Sequence, residues 1–477
     1  MGYSLGEKIK KGIFWTFLER IGTKLVQFIL QLILARILVP NDYGLSALLL
    51  AFINIATILI NSGLSSALIQ KKSSESIDYS SVFYICFLFA ITLYIILYIL
   101  APNIATFFDD QRISSLLRVI SSTLIIGSFN SIQLAILQKR MLYKKLFLAN
   151  SCAIAISATI SIFLAFQGYG VWSIVIQYVI NRVTSTLILM YLIRWFPRWE
   201  FSFKRVISLW DFGWKYMMTS ILSTIVTDIY TATIGKCYTK SQLGVYDTGN
   251  KIPSTISETF TSSLGSVLFP AFSVLQDNKL KLKEYVQKSN KTSTFLMFPL
   301  MFAVAAMSES IVQIVLTEKW ITAVPFLQMA CILYAFYPIH IANVQAINAI
   351  GRSDVALKVE FQKKCVDLSL LAIMVHFSIY WVALGRVITS VISLWLNMRP
   401  NKPFLNYSFM EQIMDVLPAL ISSLVMATIM ILISKYTDFN AWATLSIQLC
   451  VGTCFYLLCS WGINKQILLF YIKMLIK

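Results

Sequence analysis

The run Ile13-Phe-Trp-Thr-Phe-Leu-Glu-Arg20-Ile-Gly-Thr-Lys24-Leu-Val-Gln27-Phe-Ile-Leu-Gln31-Leu-Ile-Leu-Ala-Arg36-Ile-Leu38 is apolar enough to span a bilayer, yet it carries Glu19, Arg20 and Lys24 near its middle. Each charge at the centre of a membrane helix costs roughly 2.5–3.5 kcal/mol on insertion scales. It is tolerated where it meets water, protein or an anionic ligand instead of lipid. At 100° per residue, Thr16, Arg20, Lys24, Gln27 and Gln31 fall on one face, at spacings of 4, 4, 3 and 4. That face has the character of a polar wall of an intramembrane cavity, and it favours a transporter.

Working outward, the same apolar character recurs along all 477 residues, of which 57% are hydrophobic and 13% charged. Soluble domains carry about 25% charged residues. The pattern predicts an all-α polytopic membrane protein with about 14 spans, near 13–38, 43–68, 79–101, 113–138, 146–166, 169–194, 211–235, 243–270, 293–316, 322–350, 359–377, 380–398, 412–434 and 440–461. The eighth and eleventh are the most polar, interrupted by Asp247, Lys251 and Glu258 and by Lys363, Lys364 and Asp367. The first run is too long and too charged for a cleaved signal core and reads as a retained helix. The eight Cys have no metal-ligand spacing and read as buried thiols, not a disulfide framework. No metal, cofactor or nucleotide-binding P-loop is indicated.

The net charge of +18 could suggest nucleic acid, but its distribution argues against that. Of the 40 Lys and Arg, 27 collect on every second loop when the N-terminus is placed inside, and 6 lie on the alternate loops. This asymmetry is the positive-inside rule; it puts both termini in the cytoplasm and supports an even number of spans. Seven basic residues remain within spans: Arg20, Lys24, Arg118, Arg182, Lys215, Lys251 and Arg386.

The chain also repeats itself. At an offset of 200, Arg36-Ile-Leu-Val-Pro-Asn-Asp-Tyr-Gly44 lies over Lys236-Cys-Tyr-Thr-Lys-Ser-Gln-Leu-Gly244. The first-span stripe maps to Ser220, Thr224, Thr227 and Thr231, and further on Gln133 and Arg140 match Gln345 and Arg352 at an offset of 212. Two repeats of six spans would enter the membrane in the same orientation, related by an axis along its normal. The expected organisation is an N-lobe over 1–195, an interfacial linker over 196–210, a C-lobe over 211–400, and two accessory helices over 401–477. The striped first and seventh spans would face a central cavity.

Several local patterns then resemble a known family: Gly12-Ile-Phe-Trp-Thr16, Leu34-Ala-Arg-Ile-Leu-Val-Pro40 with Asp42-Tyr-Gly44, Gly168-Tyr-Gly-Val-Trp172, Phe212-Gly-Trp214, Leu243-Gly-Val-Tyr246, Phe269-Pro-Ala-Phe-Ser273 and Gly351-Arg-Ser-Asp-Val-Ala-Leu357. Together, over residues 12–400, they resemble the polysaccharide transporter family of Wzx-type flippases, within the multidrug/oligosaccharidyl-lipid/polysaccharide exporter superfamily. The resemblance implies a V-shaped, MATE-like pair of six-helix lobes with two further helices. It implies transfer of an undecaprenyl-diphosphate-linked oligosaccharide across the bacterial cytoplasmic membrane. The implied partners are that lipid-linked oligosaccharide, the bilayer, and a polysaccharide polymerase and glycosyltransferases of the same pathway. The chain departs from the family where relatives often carry Arg near Thr248; here the basic group is Lys251, about one turn on. Cations on the first and eighth helices of the more distant lipid II flippases are similar to Arg20, Lys24 and Lys251.

Arg20, Lys24 and Lys251 are therefore the expected diphosphate ligands, guanidinium suiting a bidentate grip and ammonium a point charge. The structural alternatives are pairing with Glu19 and, for Lys251, with Glu258. Thr16, Gln27, Gln31, Asn54, Asn61, Ser220, Thr224, Thr227 and Ser254 are the expected polar lining; the two Asn would serve equally well between helices. Asp228, Asp247 and Glu258 are candidates for binding a coupling ion, or for neutralising a nearby cation. His340 reads as a packed polar contact. Asp109-Asp110 would matter in a lipid-dependent glycosyltransferase, but no outside loop is long enough to build such an enzyme. A multidrug antiporter of the same fold would have an acidic, aromatic cavity in place of this cationic stripe.

Overall fold

The computed structural model describes residues 22–471 apart from 25, 62, 72–73, 141, 437–439, 466 and 470; the side chains of 66, 70, 143, 211–213, 215–216, 219–220, 222–223 and 266 are likewise outside the description. All regular structure among the described residues is helical. In lipid, backbone N–H and C=O groups must be satisfied within the segment, so apolar runs of this length become helices.

The chain divides into two compact units, one ending at Gly244 and one beginning at Val245. The first holds α1 (residues 26–37), α2 (Pro40–Asn61), α3 (Leu64–Gln70), α4 (Ser76–Phe107), α5 (Arg112–Lys139), α6 (Tyr143–Phe166), α7 (Val171–Ile193), α8 (Phe203–Cys237) and the first turn of α9 (Lys240–Ser273). The second holds the rest of α9 with α10 (Lys279–Ala306), α11 (Ser308–Ile311), α12 (Val324–Ala335), α13 (Tyr337–Ala349), α14 (Ser353–Met374), α15 (Ile379–Met398), α16 (Asn401–Leu405), α17 (Phe409–Tyr436) and α18 (Ala441–Ile463).

Among the described residues, nine stretches are long and apolar enough to cross a membrane, and a tenth is α10 with residues 308–316, bent by 69°. These ten fall on ten of the fourteen expected runs. The other four runs coincide with α1, α8, α9 and α14, which are helical but do not qualify on the same count. For α9 and α14 the reason is the charged and hydroxyl residues already visible in the sequence. Several boundaries also move. The second run ends at Asn61, because Gly63 turns left-handed (φ 65°) and a short α3 follows. Residues 279–292, expected as a basic loop, are the first turns of α10. The linker expected over 196–210 is helical from Phe203.

The remainder of that linker is tied to α4. Ser80 Oγ accepts from the Arg198 amide at 3.0 Å, and Ser81 Oγ from the Ser202 amide at 2.9 Å. Trp199 is 98% exposed, and Phe196, Phe201 and Phe203 are exposed beside it, a cluster suited to the membrane–water interface. Below it the fully buried Asp78 pairs with Lys71 at 2.9 Å and Arg205 at 3.2 Å, joining the ends of α3, α4 and α8.

The repeated turn segments meet each other. A Cβ on Gly44 would strike the Lys240 carbonyl, and a Cβ on Gly244 would strike the Pro40 carbonyl. The contact is reciprocal at the 200-residue offset seen in the sequence, so the first turns of α2 and α9 pack backbone to backbone. Only glycine permits that approach. Gly44→Val should therefore lower the melting temperature of the purified protein by several degrees, through overpacking of about 1–3 kcal/mol. Gly462→Val, at a position with open space around its Cβ, should not. Equal melting of Gly44→Val and wild type would refute the close approach.

Candidate functional site

The striped helix can be followed from Lys24 onwards; Thr16 and Arg20 lie outside the described residues. Leu30, Leu34 and Leu38 are buried against Ala165 and Ile174 of α6 and α7. Val26, Ile29 and Ile33 are 45%, 47% and 37% exposed. At 100° per residue, Ile33 lies opposite Lys24. The apolar exposed face and the polar stripe are thus on opposite sides. Lys24 and Gln31 are half-buried and Gln27 is exposed. Tyr43 Oη donates to the Gln31 carbonyl at 2.8 Å, holding α2 against the stripe.

A second polar constellation in this unit was not singled out by sequence. Thr57 and Asn61 of α2, Thr123, Asn130 and Ser131 of α5, and Arg182 of α7 line a cavity of about 40 Å³, room for one or a few water molecules. Gly127 faces the guanidinium: a Cβ there would lie in ordinary contact with Arg182 Nε, at 3.8 Å. Among the described residues no carboxylate pairs with Arg182. Asn130 Nδ2 reaches Ser185 Oγ and Thr186 Oγ1, both at 3.4 Å, and Ser185 Oγ donates to Asn150 Oδ1 at 3.3 Å. These bonds are long, so the seam can exchange partners with water or a ligand. Chemically, it is a preformed polar pocket whose one charge is a guanidinium, which suits phosphate or a carboxylate.

The expected lining residues divide between these places. Asn61 joins the Arg182 pocket. Asn54 instead lies beside Asp228 of α8, which is 6% exposed, with Oδ2 lacking a hydrogen-bond partner among the described residues. Thr227 is exposed and Thr224 half-buried; the Ser220 side chain lies outside the description. In the second unit Lys251 and Glu258 are exposed on α9, Asp247 is half-buried, and Ser254 Oγ donates back to the Lys251 carbonyl at 3.0 Å.

That unit has its own half-buried arginine. Arg386 of α15 donates to Tyr246 Oη at 3.3 Å, in a small cavity lined also by Asn250 of α9 and by Phe326 and Leu333 of α12. Phe326 stacks on Tyr380 at 5.0 Å. His340 makes the packed polar contact expected of it, with Nδ1 2.8 Å from Asn397 Nδ2. Asp109 pairs with Lys236 and Asp110 with Arg112, at 2.9 and 2.8 Å. Lys236 holds the Asp109 carboxyl below its ordinary value. Both acids are thus occupied structurally. The cysteines depart from expectation: Cys86 and Cys331 are buried, but Cys152, Cys450 and Cys454 are exposed on their helices. Among the described residues no cluster of His, Cys, Asp and Glu could hold a metal ion.

Residues 33–325 match the family described as "Polysaccharide biosynthesis protein". The chain belongs to this family. It is similar to the succinoglycan biosynthesis transport protein ExoT of Rhizobium meliloti (strain 1021), with 24% identity over 428 residues, covering 87% of this chain and 85% of that one. It is similar to the lipopolysaccharide biosynthesis protein WzxC of Escherichia coli (strain K12), with 22% identity over 420 residues and coverage of 87% and 85%. Among solved structures, the lipid II flippase MurJ in an inward closed conformation matches with a TM-score of 0.78 and 18% identity, over 95% of this chain and 99% of that one. The fold is that of MurJ, and the expected membership of the polysaccharide flippases is borne out.

Arg182 was legible only as one of seven cations within spans. Its neighbours come from α2 and α5, which no local spacing on α7 reveals. Arg182→Met, which keeps length and removes charge, should lower transport of the substrate at least about tenfold without lowering the melting temperature. An unpaired, largely desolvated charge contributes little to stability. Normal transport by this variant, in a cell-based glycan export assay at matched expression, would reduce Arg182 to a packing residue.

Proposed function

We propose that this protein is a flippase, moving a polyprenyl-diphosphate-linked oligosaccharide across the bacterial cytoplasmic membrane by alternating access. The observation that carries the reading is the sign of the charge. In a family of polysaccharide biosynthesis proteins, the first unit sets Lys24 opposite the exposed apolar face of its helix and Arg182 in a polar pocket without a carboxylate. A lipid diphosphate carries about two negative charges, and cations shielded from bulk water bind anions more strongly. Arg20, Lys24 and Lys251 are the proposed diphosphate ligands, with Arg182 added by the structure. The glycan would meet Thr16, Gln27, Gln31, Asn61, Thr224 and Thr227, while the prenyl chain stays in lipid. The names of ExoT and WzxC support a glycan of an exopolysaccharide or lipopolysaccharide pathway, with a polymerase and glycosyltransferases as partners.

The charge asymmetry of the loops supports cytoplasmic termini, and the reciprocal Gly44 and Gly244 contact supports the duplication into two six-helix halves. A multidrug antiporter of related fold would call for a net acidic pocket, and the Arg182 pocket is cationic. Asp228, buried beside Asn54, is the best placed of the three acids for proton or Na⁺ coupling.

The test is translocation in a strain lacking its own flippase and supplied with a matching glycan pathway. Wild type should restore surface glycan, and Arg20→Gln/Lys24→Gln should not, at equal membrane levels. Restoration by both would keep the flippase and discard the two ligands. Export of cationic drugs without any glycan export would overturn the reading. In the same assay Asp228→Asn should remove the dependence on a proton or Na⁺ gradient; an unchanged dependence would exclude it as the coupling site.

A further inference from the structure

A groove in the second unit is lined by none of these transport residues. It runs between α14, α15 and α16 and has a volume of about 370 Å³, within the range of ligand pockets, roughly 300–1,000 Å³. Its floor is apolar, made by Val355, Val359, Leu396 and Phe404, and three cations, Lys358, Arg399 and Lys402, stand around it. We propose that this groove seats the phosphate headgroup of an anionic phospholipid.

Three observations carry the assignment. First, the local acids are already taken: Asp354 pairs with Arg352 at 2.9 Å, and Glu360 pairs with Lys363 and Lys364. Among the described residues, Lys358, Arg399 and Lys402 have no carboxylate of their own. Second, the groove is rigid where it must be. Asn401 is fully buried and donates to Asn343 Oδ1 at 2.6 Å, and the Arg352 guanidinium lies 4.7 Å over the Phe404 ring. A preformed seat loses little entropy on binding. Third, an exposed ring borders the groove: Trp395 of α15, one residue before the lining Leu396, is 45% exposed. Arg399 lies 5.5 Å from the Trp395 ring. An aromatic beside a cation at a helix end marks the membrane–water interface. A soluble anion would have no use for the apolar floor of Val355, Val359, Leu396 and Phe404, whereas a lipid would lay acyl chain along it. Basic pockets between membrane helices on the cytoplasmic side are suited to such headgroups.

The experiment uses the purified full-length protein in nanodiscs of phosphatidylcholine with increasing phosphatidylglycerol, reading the melting temperature. Wild type should be stabilised by several degrees by phosphatidylglycerol. In Lys358→Gln/Arg399→Gln/Lys402→Gln the half-saturating lipid fraction should rise by roughly a hundredfold, at about one kcal/mol per basic residue near an anionic surface. A control of equal charge loss, Lys279→Gln/Lys281→Gln/Lys465→Gln, should respond as wild type does. Pro403→Trp, which fills the groove and keeps the three charges, should weaken the response as well. The proposal is overturned if the groove triple variant responds like wild type, or if the control loses as much, which would mean charge without a site. It is also overturned if inorganic phosphate alone reproduces the stabilisation, which would mean a free-anion site.

Discussion

A cation cannot rest against hydrocarbon, and that constraint organises most of what is distinctive in this chain. Each of the basic residues expected within spans must be given water, a carbonyl, a ring or an anion. Arg118 is met by the ring of Tyr98 at 4.4 Å and by its carbonyl. Arg386 is met by Tyr246 and the aromatic cluster around it. Lys24 is turned away from the exposed Val26, Ile29 and Ile33. Arg182 differs from these: the polar groups of its pocket are hydroxyls and amides, and among the described residues no carboxylate pairs with it. A half-buried arginine solvated by neutral dipoles keeps its attraction for an anion, whereas one paired with a carboxylate has spent it.

The two arginines also bear on how the molecule was built. Arg182 and Arg386 lie on the sixth and twelfth expected spans, 204 residues apart, close to the offset of 200 that superposes Gly44 on Gly244. Each sits in a cavity lined by the second, fourth and sixth helices of its half: α2, α5 and α7 in one, α9, α12 and α15 in the other. The chemistry has diverged while the placement has not. One cavity keeps open polar space; the other is filled by Tyr246 and Phe326, with Tyr380 stacked behind. That difference in lining explains why only one of the two reads as a ligand site.

The apolar helices were legible because a bilayer imposes length and composition together, so runs such as 79–101 and 412–434 reappear as α4 and α17. The polar helices α9 and α14 were legible only as the weakest runs, since Lys251, Glu258 or Lys363 can be placed on a helix only when their neighbours are known. The stripe from Lys24 to Gln31 was readable because its members share one helix and one period. Arg182 was not, because its pocket is assembled from three helices separated by loops. The cysteines were misread for a related reason: in a membrane protein an apolar helix has a lipid-facing side, so lying within a span does not bury Cys152 or Cys450.

The sign of the polar groups decides between substrates that the fold alone would admit. Folds of this kind place helices around a path, and the side chains determine what that path attracts. Asp228 is the acid that would argue for a cationic substrate, but it is 6% exposed and lies against Asn54. A carboxylate enclosed in that way has room for a proton or a small ion and too little for a bulky cation. Arg182, by contrast, has no carboxylate partner among the described residues. In this unit the guanidinium of Arg182 is open to an anion while Asp228 has room only for a small cation, an arrangement that supports the proposed lipid diphosphate over a cationic substrate.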